Sequence, residues 1–269
     1  MIVNLVNVNP VIVNSGIINL GIINEDLHKT VMAKIKAKIT DICTQTPSVK
    51  TFVLDYGSQH FNYTPGQWVD IHIRIDNEPH NGGYSITSIP HKKNAIEVAI
   101  KYAPNFPLTT YLHNQSKIGD QVYLSNGQGD IVLAKQITAP LVFIAGGVGI
   151  SPLISMLRHA ASTNTTVPVI LLYSITRPEE FLFSEALQNI KQTLANFQYF
   201  VTVTQNIPHP FHFNGRINQQ MITAVKPPTN ASYYLCGPPK MVTDVEKILI
   251  KLQTSLGVDP ACVHYDKWW

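Results

Sequence analysis

The hydrophobic and polar positions follow two different patterns, which divide the chain between residues 136 and 140. Before this point, short hydrophobic stretches alternate with polar residues, and over 69–75 every second residue is Val or Ile, which predicts a strand exposed on one face. The strands predicted in this way are 35–42, 50–55, 68–75, 95–102 and 121–124, with one helix over 108–114. The predicted turns lie at 65–66, 77, 81–83 and 119–120. Several short strands at this spacing predict a small antiparallel barrel or sandwich.

After residue 140, hydrophobic strands alternate with amphipathic helices. The predicted strands are 141–145, 169–174, 197–204, 232–236 and 263–265. One predicted helix begins at residue 152, and three more span 179–192, 217–225 and 239–256. Such an alternation indicates a doubly wound parallel sheet, which binds its ligand at the carboxyl ends of the strands.

The most informative stretch is 141–161. An apolar run over 141–145 is followed by three glycines within 146–149 and then by residues at helical spacing. Ser151 is predicted to cap the helix, and Pro152 suits its first turn. A glycine turn between strand and helix lets backbone N–H groups approach an anion closely. The spacing differs from G-x-G-x-x-G, and glycines after a strand also form tight turns without any ligand.

Composition and charge narrow the range of functions. The chain has 269 residues and a net charge of +3, without a cluster of Lys and Arg among aromatic residues, so no nucleic-acid partner is predicted. Cys43, Cys236 and Cys262 form no C-x-x-C pair, and no metal site is predicted. Residues 1–31 carry no charge before Glu25 and lack a signal or transit pattern and a membrane span. They are interpreted either as a loosely ordered extension or as an extra strand or membrane-surface contact.

Four motifs resemble those of a known family. GGVGISP at 146–152 resembles the turn that binds the pyrophosphate and nicotinamide in the ferredoxin–NADP reductase superfamily. YLCGPPKM at 234–241 resembles the second nucleotide motif of the same superfamily. With GGYSI at 82–86 and DKWW at 266–269, the combination most resembles the oxidoreductase NAD-binding domain-containing protein group.

The resemblance implies two domains and two cofactors. An antiparallel β-barrel flavin domain is expected at 32–138, followed by an α/β doubly wound parallel-sheet NAD(P)-binding domain at 139–269. The implied cofactors are NAD(P)H and FAD, with FMN left open.

Five barrel residues are implied at the flavin: Tyr84, Ser85, Ile100, Lys101 and Thr109. In the family, the tyrosine stacks on the isoalloxazine and the serine hydrogen-bonds near its N5, which suits an aromatic plane and a hydroxyl. Lys101 is alternatively a solvated strand lysine. Gly82 stands where the family has an arginine that pairs with the flavin phosphate. Either backbone N–H groups approach the phosphate here, or the flavin is weakly held.

The resemblance also implies the residues at the nucleotide. They are Gly146, Gly147, Val148, Gly149, Ile150, Ser151, Arg177, Cys236, Gly237, Pro238 and Met241, with Trp269 covering the flavin. The residues implied at the redox centre itself are Ser85, Cys236 and Asp266. Arg177 is either a contact to the adenosine part or a surface arginine. Without the resemblance, Cys236 is interpreted as a small buried hydrophobic residue.

The function implied is a flavin-dependent NAD(P)H oxidoreductase that passes hydride to a bound flavin and electrons to an unidentified acceptor. One alternative is an NAD(P)-binding sensor or interaction module that has lost its flavin. Another is a reductase subunit that serves an iron–sulfur or haem partner protein. The cytoplasm is the default location, although animal relatives are assigned to mitochondria.

Overall fold

The computed structural model describes residues 34–90, 94–253 and 257–267, with only the backbone for residue 267. The extension predicted over 1–31 and the flavin contact predicted at Trp269 both lie outside the described residues. The described residues contain two six-stranded sheets, one in each half of the chain, and both belong to one compact unit.

The first sheet is antiparallel and closes into a barrel. Its strands are β1 Ile35–Thr46, β2 Val49–Asp55, β3 Trp68–Ile75, β4 Glu78–Ser85, β5 Ala95–Lys101 and β6 Gln121–Leu124, and one helix, α1 Pro107–Asn114, follows β5. The strand order is β4-β3-β6-β1-β2-β5, and a bridge between Ile86 and Val98 joins the two edges. Alternate residues of β3 point into the barrel core, as the sequence pattern predicts, and the same alternation is seen at the start of β1. The predicted antiparallel barrel is confirmed.

Strand β4 is absent from the sequence prediction, which places a turn at 81–83. That prediction is wrong, because these residues pair with β3 along the whole strand. The turn is formed instead by Asp76 and Asn77, whose φ values are 50° and 66°. Two-residue hairpin turns with positive φ at both positions are favoured because their geometry matches the right-handed twist of the two strands. Gly83 fits inside the strand because the Trp68 ring covers it, so that a Cβ there would be 3.1 Å from two ring carbons.

The second sheet is parallel throughout. Its strands are β7 Leu141–Gly146, β8 Val169–Ile175, β9 Phe197–Val203, β10 Phe213–Asn214, β11 Ser232–Gly237 and β12 Val263–Lys267, in the order β10-β9-β8-β7-β11-β12. The helices of this half are α2 Ile150–Ser162, α3 Ser184–Thr193, α4 Gln219–Ala224 and α5 Pro239–Lys251. The predicted doubly wound α/β arrangement is confirmed.

The start of α2 differs from the prediction. The helix begins at Ile150, directly after a 3₁₀ turn at Gly147–Gly149. Ser151 therefore lies inside the first helical turn and not at the N-cap, and its Oγ donates a hydrogen bond to the carbonyl of Val148 at 2.8 Å.

The helix predicted over 179–192 is interrupted. A 3₁₀ turn at Pro178–Glu180 precedes α3, and Phe183 between them has a φ of 60° in the left-handed region. Leu182 and Phe183 are both buried, so the chain leaves helical geometry where it inserts these side chains into the core. Helix α4 is shorter than the helix predicted over 217–225, and α5 ends at Lys251, while the last three residues of the helix predicted over 239–256 lie outside the described residues.

The barrel and the parallel sheet share part of a hydrophobic core. One core fills the barrel, and the parallel sheet has a core on each face. Val49 and Ala99 of the barrel belong to the core that α2 and α3 cover. This shared packing fixes one end of the barrel against the parallel sheet. Among the described helices, none has both the length and the hydrophobicity needed to cross a membrane.

Candidate functional site

Two glycine-containing turns touch each other at the carboxyl edge of the parallel sheet. The first follows β7, and the second follows β11. A Cβ on Gly149 would be 2.5 Å from the carbonyl oxygen of Cys236 and 2.6 Å from the Cα of Gly237. A Cβ on Gly146 would be 2.6 Å from the sulfur of Met241. Because the Gly149 backbone lies directly against the backbone of Cys236 and Gly237, the two turns form one continuous floor, with the Met241 side chain packed against Gly146.

Gly147 faces open space on the other side of this floor. Its φ is 55°, and no atom lies within 4 Å of the position that a Cβ would occupy. The carbonyl of Gly147 accepts a hydrogen bond from the buried Tyr173 hydroxyl at 3.0 Å, and burial raises the pKa of Tyr173, which keeps it a donor. The N–H of Ile150, the first residue of α2, donates to the carbonyls of Gly147 and Val148, so the 3₁₀ turn and α2 form one continuous helical start whose first N–H groups belong to the turn. The turn therefore offers N–H groups and the positive end of a helix dipole to an anion.

A cleft of about 530 Å³ opens at these turns. It is also lined by the residues that follow β8 and β9 and by Lys101, Arg216, Lys240 and Asp244. The Lys240 ammonium donates to the Asp244 carboxylate at 2.9 Å, and this hydrogen bond lowers the pKa of Asp244. Three cationic side chains against one carboxylate make the cleft positive, which favours an anionic ligand.

Cys236 and Asp266 are neighbours in the sheet. Cys236 is buried near the end of β11, where it lies opposite Ala145 of β7 on one side and Asp266 of β12 on the other. The half-buried Asp266 therefore borders the same sheet edge as the cleft. Two of the three residues predicted at the redox centre lie side by side, whereas Ser85 belongs to the barrel.

Arg177 follows β8 but lines a neighbouring cavity of about 240 Å³. Its Nε lies 3.2 Å from a Glu179 oxygen, and one of its terminal nitrogens lies 3.9 Å from a Glu180 oxygen. The other Glu180 oxygen accepts a hydrogen bond from Ser48 of the barrel at 2.6 Å. Arg177 thus lies beside two carboxylates, and its contact with the adenosine part of a nucleotide stays a prediction.

Tyr84 lies at the end of β4, on the barrel side of the site. A Cβ on Gly82 would be 3.1 Å from the Tyr84 hydroxyl oxygen and 3.1 Å from Cδ2 of Leu108 in α1. Burial raises the pKa of Tyr84 to about 12. Glycine at position 82 therefore provides the space that the half-buried Tyr84 ring uses beside α1.

The other residues predicted at the flavin lie in different surroundings. Ser85 ends β4 and is buried. Ile100 is completely buried in the barrel core, and its contact with a cofactor stays a prediction. Thr109 is buried, and its hydroxyl donates to the carbonyl of Ala103 at 2.7 Å, so a ligand would have to compete for it. Lys101 is exposed and lines both cavities described above.

Among the residues that line the cleft but are missing from the site predicted from the sequence are Thr204, Arg216 and Lys240. Each follows the carboxyl end of a parallel strand within three residues. This is the position at which doubly wound sheets bind ligands, so the strand pattern was the signal that could have found them.

The residues present fit a dinucleotide and a flavin. A glycine-rich floor that leaves open space above Gly147, with a positive lining, fits a pyrophosphate. The Tyr84 ring and the Ser85 hydroxyl offer an aromatic face and a hydrogen-bonding group, which fit a flavin ring. The resemblance implies an arginine at position 82 that would pair with a flavin phosphate. This chain has Gly82 there, which offers no charged side chain to the phosphate.

Two family models match the chain. The model of the oxidoreductase FAD-binding domain matches residues 35–132, and that of the oxidoreductase NAD-binding domain matches residues 143–247. The first match coincides with the barrel and the second with the parallel sheet.

Known proteins resemble both halves together. Oxidoreductase NAD-binding domain-containing protein 1 of Danio rerio is 32% identical over 260 residues, which cover 88% of this chain and 93% of that protein. A flavohemoprotein of Bacillus thuringiensis is 27% identical, over 90% of this chain and 61% of that protein. The crystal structure of a ferredoxin NADP+ reductase from Neisseria gonorrhoeae with bound FAD and NADP has the same fold. Its TM-score is 0.74 at 19% identity, over 88% of this chain and 99% of that one.

Proposed function

Since the chain belongs to the family of oxidoreductase NAD-binding domain-containing protein 1, we propose that it oxidises NADH or NADPH and passes the electrons through a bound flavin to a separate acceptor. One observation carries this proposal: Lys101 of the barrel lines the same cleft as the two glycine turns of the parallel sheet. A nucleotide in this cleft lies within reach of both domains, as direct transfer between two cofactors requires.

In this proposal, the parallel sheet holds the nucleotide. The N–H groups around Gly147 and the positive end of the α2 dipole bind the pyrophosphate, while Arg216 and Lys240 balance its remaining negative charge. Cys236 and Asp266 border the nicotinamide end of the cleft. Buried Cys236 acts there through its shape and not as a nucleophile.

The barrel holds the flavin, with the domain division at residue 138. When bound, a flavin accepts a hydride and releases electrons singly or in pairs. Tyr84 packs against the flat ring, and Ser85 offers a hydroxyl group beside it. Lys101 approaches from the end of β5, between the two cofactors.

We propose that the acceptor is a redox protein. The sequence has three cysteines, fewer than the four that usually hold an iron–sulfur cluster, so the second redox centre is expected on a partner. Two similar proteins carry the names flavohemoprotein and ferredoxin NADP+ reductase, and both names include a one-electron carrier. This supports a protein acceptor of the haem or iron–sulfur class.

A second function, a nucleotide sensor without flavin, is favoured by the packing of Tyr84 against Gly82. The arginine that would pair with a flavin phosphate is missing, and the tyrosine fills part of its space. Such a protein would bind NADH or NADPH in the cleft and transfer no electrons.

The visible absorption spectrum of the purified full-length protein separates these functions. We expect a flavin band, present at once or after FAD is added, that bleaches under anaerobic conditions with NADH or with NADPH. In the Arg216→Met variant, the same bleaching should need a higher nucleotide concentration. Nucleotide binding without any flavin would instead establish the sensor. A purified protein that binds neither flavin nor NADH or NADPH would overturn both proposals.

A further inference from the structure

A hydrogen-bonded cluster ties helix α2 to the barrel. One terminal nitrogen of Arg158 donates to the carbonyl of Thr87 at 2.8 Å and to a carboxylate oxygen of Glu97 at 2.7 Å. The guanidinium also lies 5.4 Å from the centre of the Phe183 ring. The Arg158 and Glu97 side chains are only 27% and 24% exposed, so solvent screens this pair less than a surface pair.

The neighbouring turn of α2 makes a second contact with the same barrel segment. The Ser155 hydroxyl donates to the carbonyl of Ser88 at 2.5 Å, and Ser155 is completely buried. Residues 155 and 158 lie three positions apart and therefore share one face of the helix. This face holds two consecutive carbonyls of the barrel, those of Thr87 and Ser88.

The barrel fixes this segment from its other side. The Thr87 hydroxyl donates to Glu97 at 2.5 Å, and the Glu97 N–H donates to the Ser88 hydroxyl oxygen at 3.0 Å. The Tyr63 hydroxyl lies 2.9 Å from the same Ser88 oxygen. Thr87 and Ser88 are thus held between the barrel and α2 and have little freedom to shift.

The cluster connects the segment that follows Tyr84 in the barrel with the helix that follows the glycine turn in the parallel-sheet half. Thr87 follows Tyr84 by three residues along the chain, while α2 begins at the glycine turn. Ser151 in the first turn of α2 is four residues before Ser155 and shares its face. An α-helix rises about 1.5 Å per residue, so Arg158 lies about 12 Å along a stiff rod from Ile150.

We propose that Arg158, Ser155 and Glu97 are positioning residues that set the distance between the flavin segment around Tyr84 and the glycine turn. The inference rests on the proposed reductase function and adds to it the device that aligns the two cofactor sites. Direct hydride transfer needs the reacting atoms about 3–3.5 Å apart, and a misplacement of about 1 Å can cost about 100-fold in rate. Loosening the cluster should therefore slow transfer while the binding of either cofactor is preserved.

The test compares three cluster variants with one control. Arg158→Met removes the hydrogen bonds to the Thr87 carbonyl and the Glu97 carboxylate, Glu97→Gln removes the negative charge but keeps the shape, and Ser155→Ala removes one hydrogen bond. Lys191→Met is the matched control, because the Lys191 ammonium lies 5.6 Å from the Tyr199 ring within the parallel-sheet half alone. Each full-length protein is loaded with FAD and mixed with NADH, or with NADPH, in an anaerobic stopped-flow instrument.

We expect the limiting rate of flavin reduction to fall about 10- to 100-fold in Arg158→Met and less in the other two variants. The nucleotide Kd and the FAD content should stay within about twofold of the wild type, and Lys191→Met should match the wild type throughout. A larger primary isotope effect with 4-deuterated nucleotide would show that the chemical step is the one slowed.

Two results overturn the inference. One is an unchanged limiting rate in Arg158→Met and Glu97→Gln. The other is a rate loss that merely follows loss of FAD or weaker nucleotide binding. If Arg158→Met fails to fold, Glu97→Gln and Ser155→Ala decide by the same criteria. Absence of flavin reduction in the wild type would instead contradict the proposed function, so the two failures are distinct.

Discussion

The ring of Tyr84 packs over the backbone of Gly82, two residues earlier in the same strand. A Cβ added to Gly82 would come within 3.1 Å of the Tyr84 hydroxyl oxygen, closer than an ordinary van der Waals contact. The observed position of the Tyr84 ring therefore depends on the absence of a side chain at position 82. In the proposed function, the tyrosine that packs against the flavin is positioned by a glycine.

The first prediction concerns this pair. In Gly82→Ala, the added methyl group displaces the Tyr84 ring or Leu108, and we expect the protein to bind FAD about fivefold more weakly, which corresponds to about 1 kcal/mol. Fluorescence titration of the apoprotein with FAD measures the change. Asn81→Ala in the same strand is the control and should bind FAD normally. Equal affinity in the two variants would show that Tyr84 does not contact the flavin.

The second prediction concerns the contact between the two glycine turns. In Gly149→Ala, the methyl group would lie 2.5 Å from the Cys236 carbonyl oxygen, and neither backbone can move away without distorting the sheet. We expect a loss of about 1–3 kcal/mol in the free energy of unfolding and weaker nucleotide binding. Urea unfolding and nucleotide titration measure the two effects.

Gly147→Ala is the comparison for this variant. Its methyl group meets no atom within 4 Å, although a φ of 55° is unfavourable for alanine by about 1–2 kcal/mol. Its nucleotide affinity should fall less than that of Gly149→Ala. The reverse order would contradict the arrangement of the floor.

The third prediction compares two arginines. Arg216 lines the large cleft, whereas Arg177 lines the smaller cavity beside Glu179 and Glu180. We expect Arg216→Met to raise the Kd for NADH and NADPH by about tenfold or more, in a salt-dependent manner, as for loss of a charge-assisted contact. Arg177→Met should change it less. A larger effect of Arg177→Met would restore Arg177 as the main contact to the nucleotide.

The fourth prediction concerns pH. Burial lowers the pKa of His113, and this outweighs the opposing hydrogen bond between its Nε2 and the Ile100 carbonyl at 2.9 Å. The folded protein therefore favours the neutral ring, and the unfolded chain takes up a proton first. This contribution to stability is fully present above the ordinary histidine pKa of about 6.5 and is lost as the pH falls below it.

The measurement is urea unfolding at several pH values between about 7 and 5. The wild type should lose stability towards pH 5, and His113→Gln should lose less, because one of the groups that take up a proton on unfolding is gone. Burial also lowers the pKa of His72, His159 and His212, so a residual dependence is expected. An unchanged slope in His113→Gln would contradict the assignment.

The sequence alone determined the fold class and the location of the glycine turns. Alternation along β3 and the uninterrupted apolar run of β7 are local patterns, and each follows directly from the faces that a strand buries. The turns after β7 and β11 can also be predicted locally, because glycines that directly follow an apolar strand indicate that the chain turns there. What a residue meets within its own segment can be predicted from that segment.

Tertiary structure decided the features that depend on distant contacts. Gly83 lies inside β4 because the Trp68 ring on the next strand covers it, while its neighbours alone predict a turn. Arg158 hydrogen-bonds to Thr87 and Glu97, which are 71 and 61 residues away in the sequence. The residues next to Arg158 in the sequence give no indication of these partners. The sequence therefore determines which surfaces each segment must bury, and only packing decides which distant side chains meet when those surfaces are buried together.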